Sequence, residues 1–473
     1  MFAEPIVLLL IGMAVVVGGV LVLRFHAFVA LLLGALIVAA LTPSEALERY
    51  AGERGLSPDA TASLVASSAG SRVAQGFGVT CGKIGIVIAL AAIIGRALLE
   101  SGAAERIVRS AVGVLGERRA PAGLVGSSFL LGIPVFFDTV FYLMIPLGKA
   151  LSLRTGGNYL LYVLAIMTGA TMAHSLVPPT PGPLFVASEL QVDMGLMILG
   201  GGTLGLCTVA YGYCHACWAA RRWEVPLRDT PDTSRAELET LSARADAELP
   251  SLWLSLLPVV LPVVLISGRT VYDSLAIESA TWAPWIAGLG DKNVALTLAA
   301  AVSLGLLAAR KCEGPGALAS PVQAALQSGG VIILITAAGG AFGAVLQQTG
   351  ISTRIAELSR AYEIGLLPLA FGCTVLVRTA QGSATVAMIT ATGIVSGLMD
   401  TATLGYHPLY VALAIGCGSK PFAWMNDSGF WVICRMSGLT ESEGLRIVTP
   451  LSAGMGFFGF GLVLLAARWL PLV

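Results

Sequence analysis

The hydrophobic stretches of this chain come in two sets, and both sets are broken at matching places by Gly, Pro and polar residues. Ile88-Ala-Leu-Ala-Ala-Ile-Ile-Gly-Arg-Ala-Leu-Leu-Glu-Ser-Gly102 returns as Ala337-Ala-Gly-Gly-Ala-Phe-Gly-Ala-Val-Leu-Gln-Gln-Thr-Gly350. Gly95 then pairs with Gly343 and Gly102 with Gly350, an offset of 248 in either case. Further on, Leu164-Ala-Ile-Met-Thr-Gly169 matches Leu413-Ala-Ile-Gly-Cys-Gly418 at an offset of 249, and both lead into a polar or Pro-rich break. Twinned, interrupted apolar segments of this kind point to a transporter whose substrate site lies between two repeats.

The apolar excess decides where such a chain lives. At 473 residues, 56% hydrophobic and only 12% charged, with mean hydropathy +0.83, it has too little polar surface to cover a soluble globule. It reads as an integral membrane protein, all-α, since runs such as Pro5 to Leu23, Val79 to Ile94, Leu160 to Met172, Val294 to Ala309 and Pro450 to Ala467 suit helices crossing a hydrocarbon core of about 30 Å. The short alternating strands of a porin are missing. The first run has no basic n-region or small-residue cleavage site, so a retained helix is expected. A formal net charge of zero gives no reason to expect nucleic acid. Of eight cysteines only Cys214-His-Ala-Cys217 cluster, and they read as helix filling; neither a metal nor a cofactor is expected.

Three parts follow along the chain: an N-terminal repeat over 1–220, a cytoplasmic linker over 221–250 rich in Arg, Glu, Asp and Pro, and a C-terminal repeat over 251–473. Two apolar spans and a mixed segment to about Ser71 precede the first unit. In the second half, Leu252 to Ile266, an irregular stretch around Trp282 to Trp285 and Val294 to Ala309 take that place. If the segments at Gly132-Ile-Pro134 and Gln381-Gly-Ser383 are tips of re-entrant hairpins, most of the 28 Lys and Arg fall on the linker's side. That is the bias expected of a cytoplasmic side, and it makes the two repeats inverted. About ten spanning helices and two hairpins are expected.

Four segments carry the chemistry. Gly132-Ile-Pro-Val-Phe-Phe-Asp138 joins a helix breaker, Pro134, to a carboxylate that must face a cavity, find a partner or be neutral. His174-Ser-Leu-Val-Pro-Pro-Thr-Pro-Gly-Pro183 cannot be a continuous helix, because Pro178, Pro179, Pro181 and Pro183 remove donors and restrict their neighbours. The helix restarting near Thr180 and Gly182 would offer free amides to an anion. Gln381, Gly382, Ser383 and Thr385 form the counterpart of the first tip, with side chains able to bind hydroxyls or a carboxylate. Asn426-Asp427-Ser428-Gly429 mirrors the Pro-rich break and adds an amide, a carboxylate and a hydroxyl. Lys420, between Gly418 and Pro421, could neutralise Asp427 or Asp138, attract an anion, or extend toward the cytoplasm. Each segment also has a plainer reading, as a cap, an external loop, a close helix contact or a turn.

At these four places the chain resembles the gluconate permease family, the gluconate:proton symporters within the ion transporter superfamily. The family pattern Gly-Ile-Pro-x-Phe-Phe-Asp/Glu is met by Gly132 to Asp138, and Pro-Pro-His-Pro-Gly-Pro by Pro178 to Pro183. Ala-Gln-Gly-Ser-Ala-Thr-Val-Ala-Met is met by Ala380 to Met388, and Asn-Asp-Ser-Gly-Phe-Trp by Asn426 to Trp431. The resemblance implies a multi-pass bacterial inner-membrane transporter of gluconate or related small hydroxy-carboxylates, driven by proton cotransport. It also implies a homodimer in which one part of each subunit moves past a fixed scaffold. Two positions depart from the pattern: Thr180 replaces a His, and Trp424 stands where relatives usually have His. Losing two imidazoles leaves Asp138, His174 and Asp427 as the titratable candidates for ion coupling.

The expected mechanism is symport of a small sugar-acid anion bound at mid-membrane between the hairpin tips and the broken helices. Ser383, Thr385, Asn426 and the amides near Gly182 would grip it, and protonation of Asp138 or Asp427 would favour anion binding by linkage. A sodium-coupled carboxylate transporter is the nearest alternative. A membrane-embedded enzyme would need a nucleophile or metal set, and neither His-Glu-x-x-His nor Gly-x-Ser-x-Gly occurs among the chain's residues. A passive channel would call for a continuous polar lining.

Overall fold

Where the sequence is apolar and unbroken the chain forms long helices, and every expected interruption ends one. The computed structural model describes residues 4–472 apart from 22, 117–118, 229–247, 275–281, 312–317, 352–353, 355–364, 397–398, 400–403 and 425–426. All regular structure among them is helical. The first half runs α1 (Pro5–Leu21), α2 (Ala27–Leu41), α3 (Ser44–Glu53), α4 (Pro58–Ala66), α5 (Ala69–Glu100), α6 (Ala103–Leu115), α7 (Ala120–Leu131), α8 (Phe137–Thr155), α9 (Tyr159–Leu176), α10 (Pro181–Glu189) and α11 (Met194–Arg222). The second runs α12 (Leu252–Ser274), α13 (Ala283–Leu289), α14 (Lys292–Lys311), α15 (Ala319–Gln348), α16 (Leu366–Gln381), α17 (Ala384–Val395), α18 (Leu409–Gly418), α19 (Ser428–Ser437) and α20 (Glu441–Trp469).

From α5 onward one order of elements is used twice. A long helix (α5, α15) is followed by a hairpin (α7 with α8, α16 with α17), an interrupted helix (α9 then α10, α18 then α19) and a second long helix (α11, α20). Gly102 and Gly350, paired by sequence, both turn the chain in the left-handed region at φ +78°. Among the described residues seven helices, counting α9 with α10 as one, are long and apolar enough to cross a membrane, and an eighth if α2 is joined to α3 across a 98° bend. About ten crossings result only if α1 and the interrupted α18 and α19 are included. The hairpin helices α7 and α17, of 12 residues each, are some 18 Å long and cannot span alone.

Some local expectations change. The stretch at Trp282 to Trp285 is not irregular: Pro284 sits in the first turn of α13, where its fixed φ suits a helix and its missing N–H costs nothing. The mixed segment before Ser71 is also helical, and Ser57 caps α4 by accepting from the Ala60 amide at 3.3 Å. Of the linker, only its ends are described. Arg228 donates to both carboxylate oxygens of Glu443, at 2.6 and 2.8 Å, and to the Gly438 carbonyl at 2.7 Å, which fixes the entry to the linker at the start of α20. Residues 229–247 lie outside the described residues.

Packing relates the two halves. A Cβ placed on Gly76 would stand 3.1 Å from the Cβ of Ala344, one on Gly85 3.7 Å from Ile333, and one on Gly329 3.1 Å from Ala92. Numbers rise along α5 as they fall along α15, so the two corresponding helices cross antiparallel, and Gly85 meets Ile333, its own counterpart at the offset of 248. The second pair does the same with reciprocal contacts: Gly212 of α11 faces Met455, and Gly459 of α20 faces Thr208. Inside each half, Gly169 of α9 packs on Val125 and Ser128 of α7 as Gly418 of α18 packs on Phe371 and Thr374 of α16. Small residues allow these backbones to approach. The α9 and α10 span is 89% buried, whereas α12 and α14 are each 33% buried, so the interrupted helices form the interior and α12 and α14 the periphery.

The antiparallel crossing is checked by cysteine pairs. With native cysteines removed and a protease site inserted between Arg228 and Glu248, Gly76→Cys with Ala344→Cys should form a disulfide that holds the cut halves together on a gel, because their Cβ atoms lie near the ~3.8 Å that a disulfide needs. Gly76→Cys with Ser328→Cys, the pair that parallel helices would bring together, should not.

Candidate functional site

All four interrupted segments open onto one cavity of about 400 Å³. The first hairpin turns at Gly132 to Val135, and α8 restarts after Phe136, placing Phe136, Phe137, Asp138 and Thr139 on the wall. The break after α9 leaves Thr171 and His174 on the wall, with Pro181 at the start of α10. The second hairpin turns through Gly382 at φ +77°, a conformation open to Gly without strain, and presents Ser383 and Thr385. The break after α18 brings Lys420 and Asp427. Ser328, Ile332 and Thr336 of α15 and Val448 and Ser452 of α20 close the sides.

Of the residues singled out by sequence, Asp138, His174, Ser383, Thr385 and Asp427 therefore line one space. Others stand behind it and shape the turns. Gly132 packs on Ala170 and Ala173 of α9, and the Pro134 carbonyl lies against Gly95. Pro179 faces α5 and α11 on the far side. Thr180 is buried and donates to the Val177 carbonyl at 2.6 Å. A Cβ on Gly182 would meet Met388 of α17, and of the residues opening α10 Pro181 lines the cavity. Gly382 gives its carbonyl to Arg378. Asn426 and the side chains of Gln381 and Ser428 lie outside the described residues.

Charge is distributed unevenly around this space. Arg378, in the last turn of α16, donates through Nε to the Ser419 carbonyl at 3.0 Å and through its two terminal nitrogens to the Gly382 carbonyl and to Asp427 Oδ2. Both partners of that ion pair are buried. The other oxygen of Asp427 caps α19, accepting from the Gly429 amide at 2.8 Å. Asp427 thus accepts a hydrogen bond on each oxygen. Lys420 is buried and donates to the Thr171 carbonyl at 3.0 Å, while its own carbonyl accepts from Ser452 at 2.7 Å. His174 has its Nδ1 buried without a hydrogen-bond partner among the described residues, and its ring meets Phe136 edge-on. Asp138 makes no hydrogen bond to a described residue.

Sequence reasoning gave Arg378 no role and left Lys420 with three. The usable signal for Arg378 was a guanidinium in the last turn of an apolar helix, which is expensive in a membrane unless it has a dedicated task. Thr171, Thr336 and Ser452 carried no signal, because single hydroxyls on apolar helices commonly bond to their own backbone, as Thr336 does to Ile332 at 2.7 Å. Trp424, at one of the two positions that depart from the family pattern, donates from its indole to the Thr379 carbonyl at 3.0 Å and is 41% exposed.

Removing Arg378 tests the clamp. Arg378→Met leaves a buried carboxylate and two carbonyls without their donor and should lower stability by about 3–5 kcal/mol. Adding Asp427→Asn should recover part of that loss, as read from thermal unfolding in detergent.

Known proteins share both sequence and shape with this chain. Residues 4–468 match the sequence model of one family, described as GntP family permease. An uncharacterized permease of Haemophilus influenzae is 34% identical over 472 residues, covering 97% of this chain and 92% of its own. An inner membrane permease of Escherichia coli K12 is 31% identical over 84% of this chain and 88% of its own, and a gluconate permease of Pseudomonas aeruginosa 30% identical over 83% and 86%. Among solved structures, the Alcanivorax borkumensis YdaH transporter superposes with a TM-score of 0.58 at 14% identity, covering 88% of this chain and 91% of its own. Neisseria gonorrhoeae MtrF superposes at 0.56 with 15% identity, covering 83% and 82%. At such identities these two speak for the fold alone.

Proposed function

We propose that this chain, which belongs to the GntP family of permeases, carries a small sugar-acid anion such as gluconate across the bacterial inner membrane together with a proton. It is a multi-pass permease and not an enzyme. What carries the substrate class is the cavity of about 400 Å³ where four helix breaks converge, with two cations and two carboxylates among hydroxyl groups. Relatives described as gluconate permeases agree with it.

The antiparallel crossing of α5 with α15 and the reciprocal contacts of α11 with α20 support two inverted repeats about a shared axis. A site on such an axis can be reached from either side by a modest shift of one set of helices, which is the basis of alternating access. In this reading the chain is one subunit of a homodimer whose cavity-bearing helices move past a scaffold, as the family resemblance implies.

Proton coupling falls to Asp138. Asp427 holds Arg378 with one oxygen and caps α19 with the other, so a proton there would weaken two contacts. Asp138 lines the same cavity without such ties. Protonating it removes a negative charge from a site that must accept an anion, so the two bindings favour each other by the same free energy. Substrate anion and proton then cross together.

Purified protein in liposomes gives the test. An inward proton gradient should concentrate labelled gluconate, and a sodium gradient alone should not; uptake driven by sodium alone would assign the coupling to the other ion. Asp138→Asn, neutral at every pH, should lose concentrative uptake while still exchanging gluconate down its gradient. Full accumulation by that variant removes Asp138 from the coupling step.

A further inference from the structure

We infer that Lys420 is the receptor for the substrate's carboxylate, delivered from one repeat and held in readiness by a backbone carbonyl of the other. The inference rests on the sugar-acid reading above and names the group that reads the charge. Lys420 is 5% exposed and lines the cavity, in the break between α18 and α19. Its ammonium gives one of three N–H donors to the Thr171 carbonyl at 3.0 Å. A carbonyl brings no charge, so this contact orients the ammonium without neutralising it.

The neighbouring carboxylate is already spoken for. Arg378 forms the ion pair with Asp427 and so offsets its charge, and among the described residues no hydrogen bond or ion pair joins Lys420 to a carboxylate. A buried ammonium without a counter-ion is costly, and an arriving carboxylate supplies one. His174 stands on the same wall, its Nδ1 buried and without a partner among the described residues, which leaves Nε2 as the ring nitrogen to meet a ligand oxygen.

Charge bookkeeping then limits the ligand. Arg378 and Asp427 cancel, and with Asp138 protonated the cavity is left with the single positive charge of Lys420. One carboxylate balances it. A second would be buried without a partner, so a dicarboxylate of the same length is disfavoured by the same desolvation that makes the first welcome. Hydroxyls along the rest of the chain find Ser383 and Thr385 instead.

Binding to the purified transporter by calorimetry, at a pH that protonates Asp138, decides it with three probes: gluconate, glucarate with a carboxylate at each end, and uncharged gluconamide. Wild type should prefer gluconate to glucarate by about a hundredfold, and Lys420→Gln should bind gluconate about a hundredfold more weakly, the usual scale for unpairing a buried charge. Gluconamide binding should change little in that variant. Lys420→Arg should restore gluconate binding to within about tenfold, since it keeps the charge with a different fork geometry. Equal binding of gluconate by wild type and Lys420→Gln, or of glucarate and gluconate by wild type, overturns the assignment while leaving a sugar-acid transporter standing. Should Lys420→Gln fail to fold, the wild-type preference between the two acids and the Lys420→Arg result still decide. A wild type that binds none of the three overturns the sugar-acid reading, and this inference with it.

Discussion

A helix broken in the interior of a membrane protein exposes carbonyl and amide groups that lipid cannot satisfy, and they must find partners within the protein. At the second break of this chain one guanidinium does most of that. Arg378 reaches the carbonyl that ends α18's last turn, the carbonyl at the hairpin tip and the carboxylate that starts α19, so three irregular pieces of backbone share one donor group. With Lys420 bonded across to α9 and Ser452 bonded back to Lys420, the second tip, the second break, α9 and α20 form one connected polar framework around the cavity. The first break is organised differently. There the prolines themselves remove donors, and Thr180 returns its hydroxyl to the chain three residues earlier.

Chemistry that is local in sequence was legible. Pro134, the four prolines from Pro178 to Pro183, and Gly382 each forbid or permit a backbone shape whatever surrounds them, and the helices end where those residues say. The recurrence of α5 as α15 was visible because small residues needed for close approach recur with the helices. The role of Arg378 was not, because its partner carbonyl on Ser419 is 41 residues away and only the fold brings the two together. The same holds for Met388, which only the fold brings against Gly182, where a Cβ would meet it. A short helix with proline in its first turn, such as α13, reads as irregular chain because its seven residues, about two turns, give the periodicity of an apolar stripe no room to show.

Burial separates what each helix has to do. The interrupted α9 is apolar on every side and packs against protein along almost its whole length. By contrast α12 and α14 leave Trp253, Leu254, Val260 and Val264, or Val294 and Leu298, in part exposed. Exposed apolar side chains of this kind would be a liability in water and are at home against acyl chains. The polar groups of the cavity are therefore enclosed by interior helices, and the peripheral ones supply the apolar coat.

The contact between Lys420 and the Thr171 carbonyl bears on how such a chain can have arisen. The two residues occupy equivalent places, 249 positions apart, and they touch. An ancestor assembled from two identical copies of the half-length chain would have carried lysine at both places or at neither. With both, two ammonium groups would have faced each other in a buried space; with neither, the pocket would have had no such cation. Under the proposed two-repeat reading, a lysine set against a threonine requires two copies that differ in sequence, and a single fused chain guarantees that each molecule holds one of each.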